Sequence, residues 1–190
     1  MLLLWNINVL CPALGPVVAN TYRSSIDMFI GGEKILSTEG TTQGDPLSMA
    51  IYSVAITPLI RRVKQDGAKQ IWFADDATSG GKLDRLLAWW NSLCQYGLMY
   101  GYFVNSDKTW LVVKEKHHGK AKEIFENTGV NITTEGRRHL GAALGCSAFV
   151  ESYVSAQVNE WVKEVFRLSN IATTQPHCAY AGFRHSLVGK

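Results

Sequence analysis

Ile71-Trp72-Phe73-Ala74-Asp75-Asp76 is the stretch on which the reading of this chain turns. Four nonpolar residues run straight into two acids. Continued strand geometry would send Asp75 and Asp76 to opposite faces, one of them towards the core. A turn at the acids avoids that cost and puts both carboxylates at the exposed tip of a hairpin. Its strands are expected over Gln70 to Ala74 and Ala77 to Ser79. Two neighbouring carboxylates can share a proton or hold a divalent cation. Magnesium suits them, because it accepts a few carboxylates and completes its octahedron with water and substrate phosphates. Asp is also an ordinary turn former, so the pair alone does not decide the matter.

One helix upstream lies Thr38-Glu39-Gly40-Thr41-Thr42-Gln43-Gly44-Asp45-Pro46-Leu47-Ser48. Gly40 and Gly44 let the backbone approach a flat ligand, and Gln43 offers both an amide donor and an acceptor. Asp45 is a good N-cap and Pro46 suits the first helical position, so a helix start favourable to phosphate is expected here. The helix that follows carries Met49, Ile51, Tyr52, Val54 and Ile56 on all sides and is expected to be deeply buried. Arg61, Arg62 and Lys64 close it against the helix dipole, with Gly67 as the stop.

Further out, residues 1 to 22 read as helix and loop punctuated by Pro12 and Pro16. Ile26 to Ser37 reads as a hairpin about Gly31-Gly32, which supply the positive φ angles of a tight turn. Lys82 to Tyr100 is an amphipathic helix with Leu83, Leu86, Leu87, Trp90, Leu93 and Cys94 on one face. Thr109 to Val113 reads as a strand, His117 to Asn127 as a short basic helix, and His139 to Gly145 as a strand or turn. Ala148 to Ser169 forms a second amphipathic helix with Val150, Val154, Val158, Trp161, Val165 and Leu168 on one stripe. Tyr102, Phe103 and Trp110 are expected in the core. The fold class is α+β, with a small, mostly antiparallel sheet packed on helices.

With 46% hydrophobic and 18% charged residues, the chain is too apolar for a disordered segment. A net charge of +3 is compatible with a nucleic-acid partner without demanding one. Lys114, Lys116, His117, His118, Lys120 and Lys122, and the run Arg137-Arg138-His139, are candidates for a face that tracks phosphates; the plainer reading is solvated surface. Cys11, Cys94, Cys146 and Cys178 have neither the spacing of a zinc site nor the density of a disulfide scaffold, so reduced thiols in an intracellular compartment are expected. The N-terminal apolar run has no leading Lys or Arg and is broken by Asn6, Asn8 and Pro12, which argues against a signal peptide or a membrane span.

Loop and acids together, in this order and spacing, resemble the reverse transcriptases of non-LTR and related retroelements. Gln43-Gly44-Asp45-Pro46-Leu47-Ser48 is similar to the family's Gln-Gly-x-Pro-[Leu/Ile]-Ser motif, and Phe73-Ala74-Asp75-Asp76 to its [Phe/Tyr]-x-Asp-Asp box. Gly101 to Thr109 is similar to its Gly-x-x-x-Asn-x-x-Lys-Thr segment, and His139-Leu140-Gly141 resembles the turn of its primer-grip hairpin. The resemblance covers roughly residues 38 to 145.

What the resemblance implies is an RNA-directed DNA polymerase domain that adds dNTPs to a primer on an RNA or DNA template, with Mg2+ as cofactor. Asp75 would bind the metal ions and Asp76 would support the site. Gln43, Gly44, Pro46, Phe73 and Ala74 would lie against template and incoming nucleotide, and Lys108 near the triphosphate as a catalytic residue. Residues 1–145 would form a partial fingers and palm domain, and 146–190 a helical connection or the start of a thumb. In-line displacement with two metal ions about 4 Å apart needs carboxylates from more than one segment. The family's other metal-binding aspartate precedes the Gln-Gly loop. Asp27 lies too near that loop and reads as a surface or turn carboxylate. The chain therefore reads as truncated at both ends and inactive alone. The alternatives are a non-catalytic retroelement remnant that binds nucleic acid, and an unrelated magnesium phosphotransferase, which would leave the Gln-Gly loop unexplained.

Overall fold

The computed structural model describes residues 2–38, 40 and 45–187, with side chains from residue 4 onward. The chain divides into two compact units, Met1–Asn105 and Ser106–Lys190. The boundary expected at residue 145 falls within the second of them.

In the first unit, helices α1 (Leu2–Leu10) and α2 (Gly15–Tyr22) are joined by a 3-10 turn at Pro12–Leu14. They lead into the expected hairpin, β1 (Ile26–Ile30) and β2 (Glu33–Ser37), closed by Ile30 opposite Glu33. Gly31 and Gly32 have φ of +60° and +89°, which is what a two-residue turn of the favoured hand requires. Asp27 is a surface carboxylate paired with Lys34 at 2.9 Å.

Helix α3 spans Ser48–Arg62 and does not begin where the sequence suggested. Asp45 is not its N-cap, and Pro46 is not in its first turn. The Asp45 Oδ1 atom accepts the Leu47 N–H at 2.8 Å, a local side-chain turn, while Oδ2 accepts a hydrogen bond from the Tyr22 hydroxyl. The carboxylate thus serves a turn and a link to α2, and the helix starts after it. At the other end, Val63 caps the helix, and Gly67, at φ +81°, belongs to the turn before the next strand.

Burial of α3 is two-sided rather than complete. Ile51 joins Ile7 and Val18 in one cluster with α1 and α2. Ile56 and Leu59, with Val63, join Trp89 and Leu93 in a second cluster with α4 (Leu83–Gly97). Met49 remains half exposed, since neither cluster reaches it. The α4 face is as expected with one addition, Trp89, whose indole N–H donates to Gln70 Oε1 at 2.8 Å. Gln70 in turn donates to the Ile60 carbonyl at 2.7 Å, so the Trp89 indole and the Gln70 amide are bonded inside this core.

Strands β3 (Ala68–Phe73) and β4 (Asp76–Gly81) pair antiparallel from Ala68–Gly81 to Phe73–Asp76. Alternation along β3 turns Ala68, Gln70 and Trp72 inward and leaves Lys69, Ile71 and Phe73 exposed. Trp72 and Ala77 pack on the α3–α4 cluster, and so fix the hairpin to the helices.

In the second unit, β5 (Trp110–Val112) pairs in parallel with β6 (Asn131–Thr133), and α5 (His118–Phe125) forms the crossover. Ala121 and Phe125 are the buried face of α5. β7 (Gly136–His139) and β8 (Ala142–Gly145) form a hairpin whose turn residues Leu140 and Gly141 both have positive φ. Helix α6 (Ser147–Ala172) follows, then the short α7 (Pro176–Gly182) and a π-turn at Phe183–Leu187.

The α+β class holds, but the single small sheet does not. Among the described residues there are four separate two-stranded ribbons, three antiparallel and one parallel. The expected stripe on α6 is also mostly uncovered: Val154, Val158, Trp161 and Val165 are all exposed.

Candidate functional site

The β3–β4 ribbon ends in a two-residue turn, Ala74-Asp75, between the paired residues Phe73 and Asp76. Both acids are exposed, so the turn does bring them to a hairpin tip. Ala74 has φ +52°, a left-handed conformation that an L residue adopts at a cost of about 1–2 kcal/mol. Such strain persists only where neighbours enforce it.

Those neighbours are aromatic. The Tyr102 hydroxyl donates to the Asp75 carbonyl oxygen at 2.7 Å. The Tyr102 ring stands edge-on to Trp72, with centroids 5.4 Å apart, and Trp72 stands likewise to Trp89 at 6.5 Å. Among the described residues, the buried Trp72 indole N–H has no acceptor.

Tyr102 is set in place by α4. Its N–H donates to the Gly97 carbonyl at 3.0 Å. Burial, then Tyr52, then the Asp75 and Asp76 carboxylates push the Tyr102 phenol up to about 12. Tyr52, on α3, is raised by burial and then by Asp75. Both phenols are therefore neutral near pH 7, and that of Tyr102 is a hydrogen-bond donor beside the acids with no charge of its own.

Phe73 and Ala74 belong to the same tip as Asp75 and Asp76, with Phe73 62% exposed. Pro46 lies exposed in the turn before α3. Gln43 and Gly44 lie outside the described residues. Lys108 is in the second unit, exposed, on the 3-10 turn Ser106–Lys108. An open groove of about 440 Å³ in the first unit is lined by Trp5, Val9, Pro58, Arg61, Arg62 and Tyr100, and by none of the expected site residues.

Two of the three aromatics expected in the core are elsewhere. Tyr102 is half-buried against the α3–α4 cluster, but Phe103 is 76% exposed. Trp110 is partly exposed and carries the Arg137 guanidinium over its ring at 3.6 Å. A residue beside a buried one in extended chain faces the other way, which accounts for Phe103.

As a metal site, the tip offers two carboxylates. No group of three or more His, Cys, Asp or Glu able to hold a metal occurs among the described residues. A pair of exposed carboxylates fits a hard cation that keeps most of its water, and Mg2+ is such an ion. It does not make an all-protein cage.

Charge divides unevenly between the units. Residues 1–105 hold eight Lys and Arg against eight Asp and Glu, so the whole net charge of +3 resides in residues 106–190. Lys114, Lys116, His117, Lys120, Lys122, Arg137 and Arg138 are all exposed there. Among the described residues, no helix is long and apolar enough to cross a membrane. No protein-family model matches the chain.

Proposed function

We propose that this chain carries part of the palm of an RNA-directed DNA polymerase of a retroelement. In this reading Asp75 and Asp76 hold Mg2+ for nucleotidyl transfer from a dNTP to a primer end, on an RNA or DNA template. The observation that carries it is the pair of consecutive, exposed acids at the tip of a tight ribbon anchored on the core cluster that α3 and α4 share. The motif order from Gln43 through Lys108 supports the same reading.

Bound there, the metal would neutralise phosphate charge and activate the primer hydroxyl. The chain's own part is to present two carboxylates at a fixed tip and to keep the adjoining phenols protonated. Two carboxylates from one turn are fewer than two-metal chemistry requires, so the chain alone is expected to give negligible primer extension.

The test has two parts. Mn2+, as a probe of the site, is titrated into the intact chain and into Asp75→Asn by calorimetry; binding that Asp75→Asn abolishes is expected. Absent or unaffected binding overturns the reading. Primer extension on an RNA template with Mg2+ is then measured, and synthesis lost in Asp75→Ala would refute the inactivity while sustaining the family.

A second reading, a non-catalytic retroelement remnant that binds nucleic acid, is favoured by the confinement of net charge to residues 106–190. It predicts nucleic-acid binding that Asp75→Asn leaves unchanged, together with no metal binding at the tip.

A further inference from the structure

We infer that Tyr102 is a positioning residue that holds the Asp75-Asp76 tip in its cation-binding conformation. The inference rests on the reading of the tip as a metal site. It concerns a position that the Gly-x-x-x-Asn-x-x-Lys-Thr pattern leaves open.

Three contacts fix Tyr102, each on a different group. Its backbone N–H is bonded to Gly97 at the end of α4. Gly97 also comes so near that it has no room for a side chain. Its ring is packed on Trp72, an inward residue of β3. Its hydroxyl then reaches the carbonyl of Asp75, the second residue of a turn whose first residue, Ala74, is strained.

A two-residue turn with an alanine at positive φ has looser alternatives. A donor fixed on the helical core and bonded to the turn carbonyl selects against them. The carboxylates of Asp75 and Asp76 are carried by that same peptide segment, so fixing the carbonyl restricts both. Partners of this kind, which orient ligands without touching the metal, are worth roughly ten- to a hundredfold in metal affinity.

Tyr102→Phe separates this role from packing, because it keeps the ring on Trp72 and removes only the hydroxyl. Mn2+ affinity by calorimetry and amide hydrogen exchange at Asp76 and Ala77 are measured for the intact chain, Tyr102→Phe and Asp75→Asn. The expected result is roughly ten- to a hundredfold weaker Mn2+ binding in Tyr102→Phe, with faster exchange at the tip. Wild-type affinity in Tyr102→Phe, with binding still lost in Asp75→Asn, overturns this inference and leaves the metal site standing. Binding that is absent, or insensitive to Asp75→Asn, overturns the site reading and the inference with it.

Discussion

Gly97 and Tyr102 approach so closely that a β-carbon on Gly97 would lie 2.6 Å from the Tyr102 carbonyl oxygen. Alanine in a helix is ordinarily better than glycine by about 1 kcal/mol. Here the sign should reverse. Gly97→Ala must push away the backbone that carries Tyr102, at an overpacking cost of about 1–3 kcal/mol. Denaturant unfolding followed by circular dichroism should show a lower midpoint; a raised one would mean that the neighbouring chain yields freely.

The opposite change should help at the hairpin tip. Ala74 holds φ +52°, where glycine pays no steric penalty. Ala74→Gly should stabilise the first unit by up to about 1 kcal/mol, once the greater chain entropy of glycine is set against the relieved strain. The same unfolding measurement checks it, and a net loss would mean that the turn conformation is not strained.

Tyr102 should also make stability depend on alkaline pH. Its phenol is pushed from 10.0 to about 12 in the folded chain, so between those values the unfolded state has lost a proton that the folded state keeps. Stability therefore falls as pH rises through this window. Tyr102→Phe should flatten that part of the denaturant-midpoint profile; an unchanged slope would assign it to other groups.

Asp45 acts at the other end of the scale. The Tyr22 hydroxyl and then the Leu47 N–H hold its carboxyl below the ordinary 3.8. Its stabilising contribution is present above that value and is lost as pH falls through the lower, folded one. Asp45→Asn should make the acid limb of the stability profile shallower, and an identical limb would show that these two bonds do not persist in solution.

Nucleic-acid binding, if the second unit supplies it, should be strongly salt-dependent. Each single-strand phosphate neutralised contributes a slope of about −0.7 in log affinity against log salt. Lys116→Ala with Lys120→Ala should weaken RNA binding and reduce that slope by roughly the two contacts removed. Affinity that ignores ionic strength would dismiss the basic face.

Local chemistry made much of this fold readable in advance. Gly31-Gly32 between apolar runs locates the first hairpin to the residue, and the nonpolar run into Asp75-Asp76 locates the third and fourth strands to within two residues. The start of α3 is not legible locally, because Asp45 has the right chemistry for a cap, yet its oxygens are taken by Leu47 and by Tyr22. That competition comes from outside the local pattern. The same holds for β6, a three-residue strand recognisable only through its partner β5.

At the candidate site, the acids were legible because two adjacent carboxylates have few places to go. The role of Tyr102 was not. Its hydroxyl meets a carbonyl at a separation of 27 in sequence, and no spacing rule signals a bond to a backbone atom so far away. Met49 and Phe103 show the converse: their apolar character predicts burial that the surrounding elements do not provide.

The indole N–H of Trp72, without an acceptor among the described residues, has a practical corollary. This ring sits one residue from the end of β3, against the phenol that grips the turn. In the proposed reading, an ion arriving at the acids would change the electric field across an indole that no acceptor screens among the described residues. Under the proposed function, Trp72 would thus double as an optical gauge of tip occupancy, and no dye has to be attached to read it.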